Sequence, residues 1–197
     1  DPRMEQTIMK PGSPWWGGND GINNFDVFEV PRFVNKGRTG SVTLTGFYFK
    51  KYSSASTSGV PGKDYNDIII MRYAEILLNY IEAIYHYQNE QVTQQQIDRS
   101  INLLRNRVGM HPMILTELVD WNMDIKKEIL RERRIELAFE GLRFLDILRL
   151  KEGNRLAQST LGVKKAIIDK FVPLGLEHNF ERVNENGDII IEGSSLD

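Results

Sequence analysis

The sequence ILRERRIELAFEGLRFLDILRL, at residues 129–150, decides how this chain folds. Its apolar and charged residues interleave with the period of an α-helix, so one face can be buried while opposite charges pair at i,i+3 and i,i+4. Gly141 lies inside this pattern, where a glycine costs about 1 kcal/mol relative to alanine. We therefore predict a helix that begins at 120–124 and ends near residue 140, a break or bend at Gly141, and a shorter helix over 142–150.

The charges of this stretch allow two interpretations. Its arginines and acids are nearly equal in number: Arg131, Arg133, Arg134, Arg143 and Arg149 against Glu132, Glu136, Glu140 and Asp146. In the structural interpretation, Arg133, Arg134, Glu136 and Glu140 hold the helices and the Gly141 turn together. In the other, the arginines form a clamp for a phosphate or carboxylate ligand. The balance of charge favours the structural interpretation, because each arginine has a plausible acidic partner nearby.

The composition is that of an ordinary globular protein. The chain has 197 residues and a net charge of -2, with 41% hydrophobic and 26% charged residues, so nothing attracts it to nucleic acid or to an anionic membrane surface. No apolar run is long enough to span a bilayer, and the lack of cysteine excludes disulfides within these residues. The chain opens on Asp1 and not on methionine, so we expect it to be a piece of a longer protein.

Residues 68–108 predict an antiparallel pair of helices. In the first, over 68–88, apolar residues repeat at helical spacing, and Arg72, Glu75, Asn79, Glu82 and His86 form one polar stripe. The second begins after Thr93, which forms a capping box with Gln96, and is closed by Gly109. A polar turn over 89–92 joins them, as in one unit of a tetratricopeptide-like array.

The two ends of the chain lack a sustained helical period. Residues 1–67 hold most of the prolines and glycines, with extended pieces predicted over 4–9 and 42–49. In the tail, Asn186 and Gly187 predict a turn into a strand over 188–192, paired with 180–183. The fold predicted from these patterns is mainly α, with tetratricopeptide-like helix pairs, a loop-rich layer and short β-hairpins.

Patterns typical of catalysis or metal binding are scarce. His86, His111 and His178 lie far apart and show no metal-ligand spacing. The sequence contains no nucleophile elbow, phosphate-binding loop or dinucleotide fingerprint. It therefore identifies no catalytic residue and no metal ligand.

Aromatic residues of the loop-rich segment suggest sugar binding. A flat, apolar ring suits the C–H face of a sugar, while Asn, Asp and Arg side chains bind its hydroxyl groups. The alternative is that the rings seal the loops onto the helices, because large aromatic residues are mostly buried. The candidate ligand-binding residues are Trp15, Trp16, Tyr48 and Tyr65.

Several motifs occur in one order along the chain, and together they resemble a known family. They are Asp1-Pro2-Arg3 with Thr7-Ile8, Thr45-Gly46 with Lys50-Lys51-Tyr52, DIIIMRYAEILLNY at 67–80 with Glu82-Ala83, Ile101-Asn102 with Arg105 and Arg107, and ERRIELAFEG at 132–141 with Arg143 and Asp146. The combination resembles the C-terminal portion of SusD/RagB-like proteins, the nutrient-binding outer-membrane lipoproteins of Bacteroidetes. Residues 160–197 depart from the usual ending of that family.

The resemblance implies both an architecture and a function. Residues 1–197 would form the C-terminal part of a SusD-like domain, with a ligand-face segment over 1–67, a helical core over 68–150 and an irregular tail over 151–197. The family binds glycans or oligosaccharides at the surface of the outer membrane and delivers them to a SusC-like TonB-dependent transporter. It has no enzymatic activity or obligatory cofactor, and its lipid anchor would lie outside these residues.

Two other functions stay open at this point. A helical-repeat scaffold that binds a protein or peptide would need an exposed helical groove. A hydrolase would need two carboxylates placed together in a cleft. The sequence does not identify the glycan.

Overall fold

The fold is mainly α, as the sequence predicts. The computed structural model describes residues 1–9, 14–15, 23–24, 48–52, 69–158, 161–164, 166 and 184–190. The chain divides into two compact units, one of Asp1–Thr7 with Tyr65–Asp146 and one of Ile8–Asp64 with Ile147–Asp197. The division into segments at residues 67 and 150 stays a prediction. Across the described ranges, every helix is too short or too polar to cross a membrane.

Helix α2 is the centre of the first unit. It packs against α4 and α6, and its residues Leu78 and Ile81 are almost fully buried. The buried apolar residues of the predicted second helix, Ile97, Ile101 and Leu104, join the same core. The helices are α1 (Arg3–Thr7), α2 (Tyr73–Tyr87), α3 (Gln94–Asp98), α4 (Ile101–Arg107), α5 (Leu115–Asp120), α6 (Ile125–Glu136) and α7 (Leu142–Arg149).

The predicted second helix forms as two pieces, α3 and α4. Thr93 begins α3 through the predicted capping box with Gln96. The helix is interrupted at Ser100, whose hydroxyl donates a hydrogen bond to the Gln96 carbonyl at 2.6 Å. Such a bond competes with the backbone ladder of a helix. Gly109 closes α4 with a φ of +66°, in the left-handed conformation that favours glycine.

Helix α6 begins where the sequence predicts and ends four residues earlier. The Asp124 side chain accepts a hydrogen bond from the Lys127 amide at 2.8 Å and caps the first turn. The last helical residue is Glu136, and its carbonyl accepts a hydrogen bond from Arg72 Nη2 at 2.6 Å. The Arg72 side chain thus caps the C-terminal end of α6. The chain then turns through Phe139 and Gly141, which both have a positive φ.

The start of the chain differs from the prediction of an extended piece over 4–9. Residues Arg3–Thr7 form the short helix α1, and only Ile8–Met9 is a strand. The physical reason is Asp1, whose carboxylate accepts a hydrogen bond from the Arg3 amide at 3.0 Å. A side-chain acceptor at this position stabilises a first helical turn.

The strands of the second unit are short and pair in antiparallel fashion. β1 (Ile8–Met9) pairs with β4 (Tyr48–Phe49), β2 (Pro14–Trp15) with β3 (Asn23–Asn24), and β5 (Leu161–Lys164) with β6 (Asp188–Ile190). A turn at Asn184–Gly187 precedes β6, with Gly187 at a φ of +79°, but the described partner of β6 is β5. The predicted partner, 180–183, lies outside the described residues, and the short β-hairpins stay a prediction.

Candidate functional site

An ionic cluster centred on the buried acids Glu132 and Glu136 includes part of the sequence's densest run of charge. It joins α1, the residue before α2, α4, α6 and the Gly141 turn within the first unit. Its arginines and carboxylates are equal in number, so the cluster is balanced in charge. Its members are Asp1, Arg3, Arg72, Arg105, Arg107, Glu132, Glu136 and Glu140.

Glu132 is the most deeply buried acid of the ionic cluster, with 1% of its surface exposed. Its Oε1 lies 2.5 Å from Arg3 Nη1, and its Oε2 accepts a hydrogen bond from Arg105 Nε at 2.9 Å. Arg105 Nη2 is also 2.9 Å from Oε2, although its angle is too poor for a second hydrogen bond with the described residues. Two arginines therefore share the charge of one carboxylate.

Glu136 contacts three arginines of the ionic cluster. Its carboxylate accepts hydrogen bonds from Arg72 at 2.7 Å, Arg107 at 3.0 Å and Arg3 at 3.1 Å. Burial acts to raise the pKa of Glu136, but the hydrogen bonds from Arg72 and Arg3 and the charges of Arg72 and Arg107 outweigh it and lower the pKa. Burial likewise acts to lower the pKa of Arg72, and its bonds to Glu140 and Glu136 raise it instead. Glu136 and Arg72 therefore stabilise each other's charged form.

Arg133 forms a second ionic contact, next to the cluster. Its Nε lies 3.0 Å from both carboxylate oxygens of Asp146, and its Nη1 donates to Asn79 Oδ1 at 2.6 Å. This one side chain therefore ties α2, α6 and α7 together. The prediction for Arg134 is wrong, because this residue is exposed and makes no ion pair within the described part of the chain. Adjacent helical residues point about 100° apart, so the bundle that buries Glu132 and Arg133 leaves Arg134, the next residue around the helix, facing solvent.

The structure supports the structural interpretation of the charged stretch over the clamp. Arg131 pairs with Glu128 one turn earlier, and Arg133 is committed to Asp146. Guanidinium groups that are already paired and separated do not present a common face to an anion.

Two of the four candidate sugar-binding residues lie in the strand pairs. Trp15 belongs to β2 and is paired with Asn23, and Tyr48 belongs to β4 and is paired with Met9. For these two only the backbone is described, while Trp16 and Tyr65 lie outside the described residues. Their convergence on one site stays a prediction.

Two further aromatic rings next to Tyr48 are exposed. Phe49 is 63% exposed and Tyr52 is 42% exposed, and Lys51 Nζ lies 5.8 Å from the centroid of the Tyr52 ring, within cation–π range. Tyr52 also has a positive φ of 68°, which is uncommon for a residue other than glycine. The sequence predicts an extended piece over 42–49, but it does not predict the exposure of the Phe49 ring at its end.

A metal centre is not found among the described residues. No group of three or more acids and histidines comes together there with suitable geometry. His86 stacks edge-on against Tyr85, and His111 pairs with Glu117 at 2.8 Å on the surface. His178 lies outside the described ranges.

These observations define a mainly α-helical protein, and comparison with known proteins identifies its family. A family model described as the SusD family matches residues 1–187. The chain therefore belongs to the SusD family, as its motifs predict.

Solved structures agree with this assignment. A SusD-like carbohydrate binding protein from Bacteroides fragilis NCTC 9343 is 27% identical, with a TM-score of 0.69 over 96% of this chain and 36% of its own. A second SusD-like protein from the same organism is 28% identical, with a TM-score of 0.63 over 83% of this chain and 30% of its own.

A curated relative is also similar in sequence. SusD-like protein P2 of Formosa agariphila is 38% identical over 116 residues, which cover 54% of this chain and 22% of that protein. The chain thus spans about a third of the length of the two solved relatives, at 36% and 30%. It spans about a fifth of the length of the curated relative, at 22%.

Proposed function

We propose that this chain is part of a non-catalytic protein that binds glycans at the surface of the bacterial outer membrane. In this role it delivers oligosaccharides to a SusC-like TonB-dependent transporter, and a lipid anchor outside residues 1–197 holds the protein to the membrane. It uses no cofactor. The observation that carries the proposal is the match of 96% of the chain to a solved SusD-like carbohydrate binding protein at a TM-score of 0.69.

The chemistry of the chain supports a binding function. The arginines of the ionic cluster are neutralised within the fold, so they serve stability and not substrate charge. Exposed aromatic rings occur instead at Phe49 and Tyr52, next to the candidate Tyr48. Ring stacking and hydroxyl hydrogen bonds bind a neutral sugar without any need for a charged site.

The proposed ligand-binding residues are Trp15, Trp16, Tyr48 and Tyr65. Trp15 and Tyr48 lie in strands, which hold a ring in place at a smaller entropic cost than a free loop does. Phe49 and Tyr52 extend the proposed aromatic surface on either side of Lys51.

Calorimetric titration tests this proposal with the longest native polypeptide that carries residues 1–197. A glycan array first selects an oligosaccharide that binds, and the Trp15→Ala, Trp16→Ala double variant is then titrated with it. We expect affinity to fall at least about tenfold, because a buried aromatic ring contributes about 1.5–3 kcal/mol. Trp121→Ala is the matched control, since Trp121 is 60% exposed and lies on a helical turn outside the loop layer.

Three outcomes would contradict the proposal. Unchanged affinity of the double variant would remove both tryptophans from the site. Release of shorter sugars during incubation, seen by chromatography, would show a hydrolase. Capture of a peptide partner without any glycan binding would show a protein-binding scaffold.

Co-purification tests the proposed transporter. The native protein is extracted from outer membranes in mild detergent, and we expect a TonB-dependent transporter in the same complex by mass spectrometry. Recovery of the protein from the membrane without a transporter would contradict this part of the proposal.

A further inference from the structure

Arg3 directs one of its N–H donors at a sulfur atom. A guanidinium group carries five N–H donors and no acceptor, and the Arg3 side chain is only 4% exposed. Its Nε and Nη2 donate to the two carboxylate oxygens of Asp1, at 3.0 and 2.7 Å. Its Nη1 donates to Glu132 Oε1 at 2.5 Å and to Glu136 Oε2 at 3.1 Å. The remaining donor, the second N–H of Nη2, is directed at Met110 Sδ, which lies 3.5 Å from the nitrogen.

The sulfur of Met110 is the weakest acceptor among the described contacts of Arg3. Hydrogen bonds from a guanidinium to an ionised carboxylate are charge-assisted and about twice as strong as neutral ones. A thioether sulfur carries no charge and accepts a hydrogen bond only weakly. A stronger acceptor at the position of this sulfur would therefore attach α1 more firmly to the end of α4.

Met110 is held in place by its backbone and is accessible to solvent. Its amide donates a hydrogen bond to the Arg105 carbonyl at 2.9 Å, directly after the left-handed turn at Gly109. Met110 is partly exposed, whereas Met113 is only 1% exposed. A small oxidant in solution therefore has access to Met110 but not to Met113.

We propose that Met110 is a site of methionine oxidation and that Arg3 binds the resulting sulfoxide. With hydrogen peroxide as the oxidant, a lone pair of Sδ forms a bond to one peroxide oxygen while the O–O bond breaks. The sulfur loses two electrons and the peroxide gains them. One oxygen stays on the sulfur, and the other takes up its proton and leaves as water.

The expected effect of this oxidation on the fold is the opposite of the usual one. A sulfoxide is polar, so it disrupts an apolar core. Here its oxygen meets the cationic Nη2 of Arg3, a donor that already points at the sulfur. The methionine side chain has three rotatable bonds, so the sulfur can move back and make room for the oxygen. Oxidation should therefore strengthen the attachment of α1.

Hydrogen exchange tests this proposal in the longest native polypeptide that carries residues 1–197. The protein is treated with dilute hydrogen peroxide, and peptide mass spectrometry locates the added oxygen. We expect Met110 to gain one oxygen atom. The amides of Arg3–Thr7 should then exchange about fivefold more slowly than in the untreated protein, because a charged donor gains a stronger acceptor.

Variants of Met110 separate its oxidation from that of other methionines. Met110→Leu keeps nearly the same volume and cannot be oxidised, while Met4 and Met71, which are 47% and 59% exposed, still can. The slower exchange should be absent from this variant and retained in Met71→Leu. Met110→Gln places an amide oxygen near Arg3 and should slow the exchange without any peroxide.

Reversal provides a second measurement on the unaltered sequence. Methionine sulfoxide reductases remove the added oxygen, so treatment with these enzymes should restore the original exchange rate over Arg3–Thr7. The proposal is overturned if Met110 stays unoxidised under conditions that oxidise Met71. Unchanged or faster exchange after oxidation, or equal slowing in Met110→Leu, would also overturn it.

Discussion

Glu136 forms ion pairs with three arginines of the ionic cluster, and its side chain is only 2% exposed. A buried carboxylate is stable only when its charge is matched and its lone pairs are bonded. The three arginines that meet it come from α1, the residue before α2, and α4. All three contacts form only when α1, α4, α6 and the residue before α2 are correctly assembled.

The stability that Glu136 provides should depend on pH. Because its pKa is lowered in the folded chain, its contribution is complete above the ordinary glutamate pKa of about 4.3 and is lost as pH falls through the folded pKa. At pH 7, Glu136→Gln should lower the free energy of unfolding by about 1.5–3 kcal/mol. The difference between the two proteins should shrink below about pH 4, as measured by urea unfolding across pH.

The partly exposed acid Glu117 provides the control for this experiment. Its only described partner in an ion pair is His111, at the surface, so Glu117→Gln should cost less than about 1 kcal/mol. A Glu136→Gln deficit that stays constant from pH 7 to pH 3 would contradict the role of the ionised carboxylate.

The structural role of a charged residue was predictable from the sequence only where the helical period determines which way its side chain faces. The sequence predicts that Arg133, Glu136 and Glu140 are structural, and their contacts confirm it. It does not predict that Arg3 and Arg105 both bind the Glu132 carboxylate. Arg3 is 129 positions from Glu132 and Arg105 is 27 positions from it, so no local sequence pattern links them. The prediction for Arg134 is wrong because a run of charged residues does not show which of them face the bundle.

At the scale of elements, helix ends were more predictable than helix continuity. The capping box at Thr93 and the glycine at 109 are local signals, and both hold in the structure. The break at Ser100 was missed, although the hydrogen bond from its hydroxyl to the Gln96 carbonyl is local. The separate helix α5 was missed because it depends on contacts across the unit. The Asn102 side chain, for example, accepts a hydrogen bond from the Met113 amide at 2.6 Å and fixes the entry to α5.

Two glycines allow the effect of backbone conformation on stability to be separated from the effect of steric crowding around an added Cβ. Neither Gly109 nor Gly153 has an atom within 4 Å of the place where a Cβ would lie, but only Gly109 has a positive φ, of +66°. Gly109→Ala should therefore cost about 1–2 kcal/mol of unfolding free energy, whereas Gly153→Ala should be close to neutral. Thermal unfolding of the two variants measures the difference, and equal melting temperatures would contradict the assigned role of Gly109.

For the whole molecule, the order of motifs proved more informative than any one of them. Scattered pieces from Asp1 to Asp146 predicted membership of the SusD family, and the match over residues 1–187 confirms it. The candidate binding residues were less accessible to prediction. A ring in a loop is identified by its chemistry alone, and its position relative to other rings depends on the tertiary arrangement.

The ionic cluster also joins residues that are far apart in the sequence, such as Arg3 and Glu132. A double-mutant cycle measures the coupling energy between these two side chains. Arg3→Ala and Glu132→Ala should each cost about 3–5 kcal/mol, because each leaves a buried charge unpaired. The double variant should cost less than the sum of the two, with a coupling energy of about 1–3 kcal/mol in urea unfolding. The exposed pair Arg155 and Glu152 is the control, with an expected coupling below about 1 kcal/mol, and strict additivity for Arg3 and Glu132 would contradict a direct bond.

The contact between Arg3 and Glu132 also has a consequence for how the chain is made. The two residues are 129 positions apart, and a ribosome that adds about 5–20 residues per second needs roughly 6–26 s to cover that interval. For that time the arginine has been synthesised and its carboxylate partner has not. The first seven residues therefore wait undocked while the helices are being translated, and a chaperone that holds this segment would act before α6 emerges.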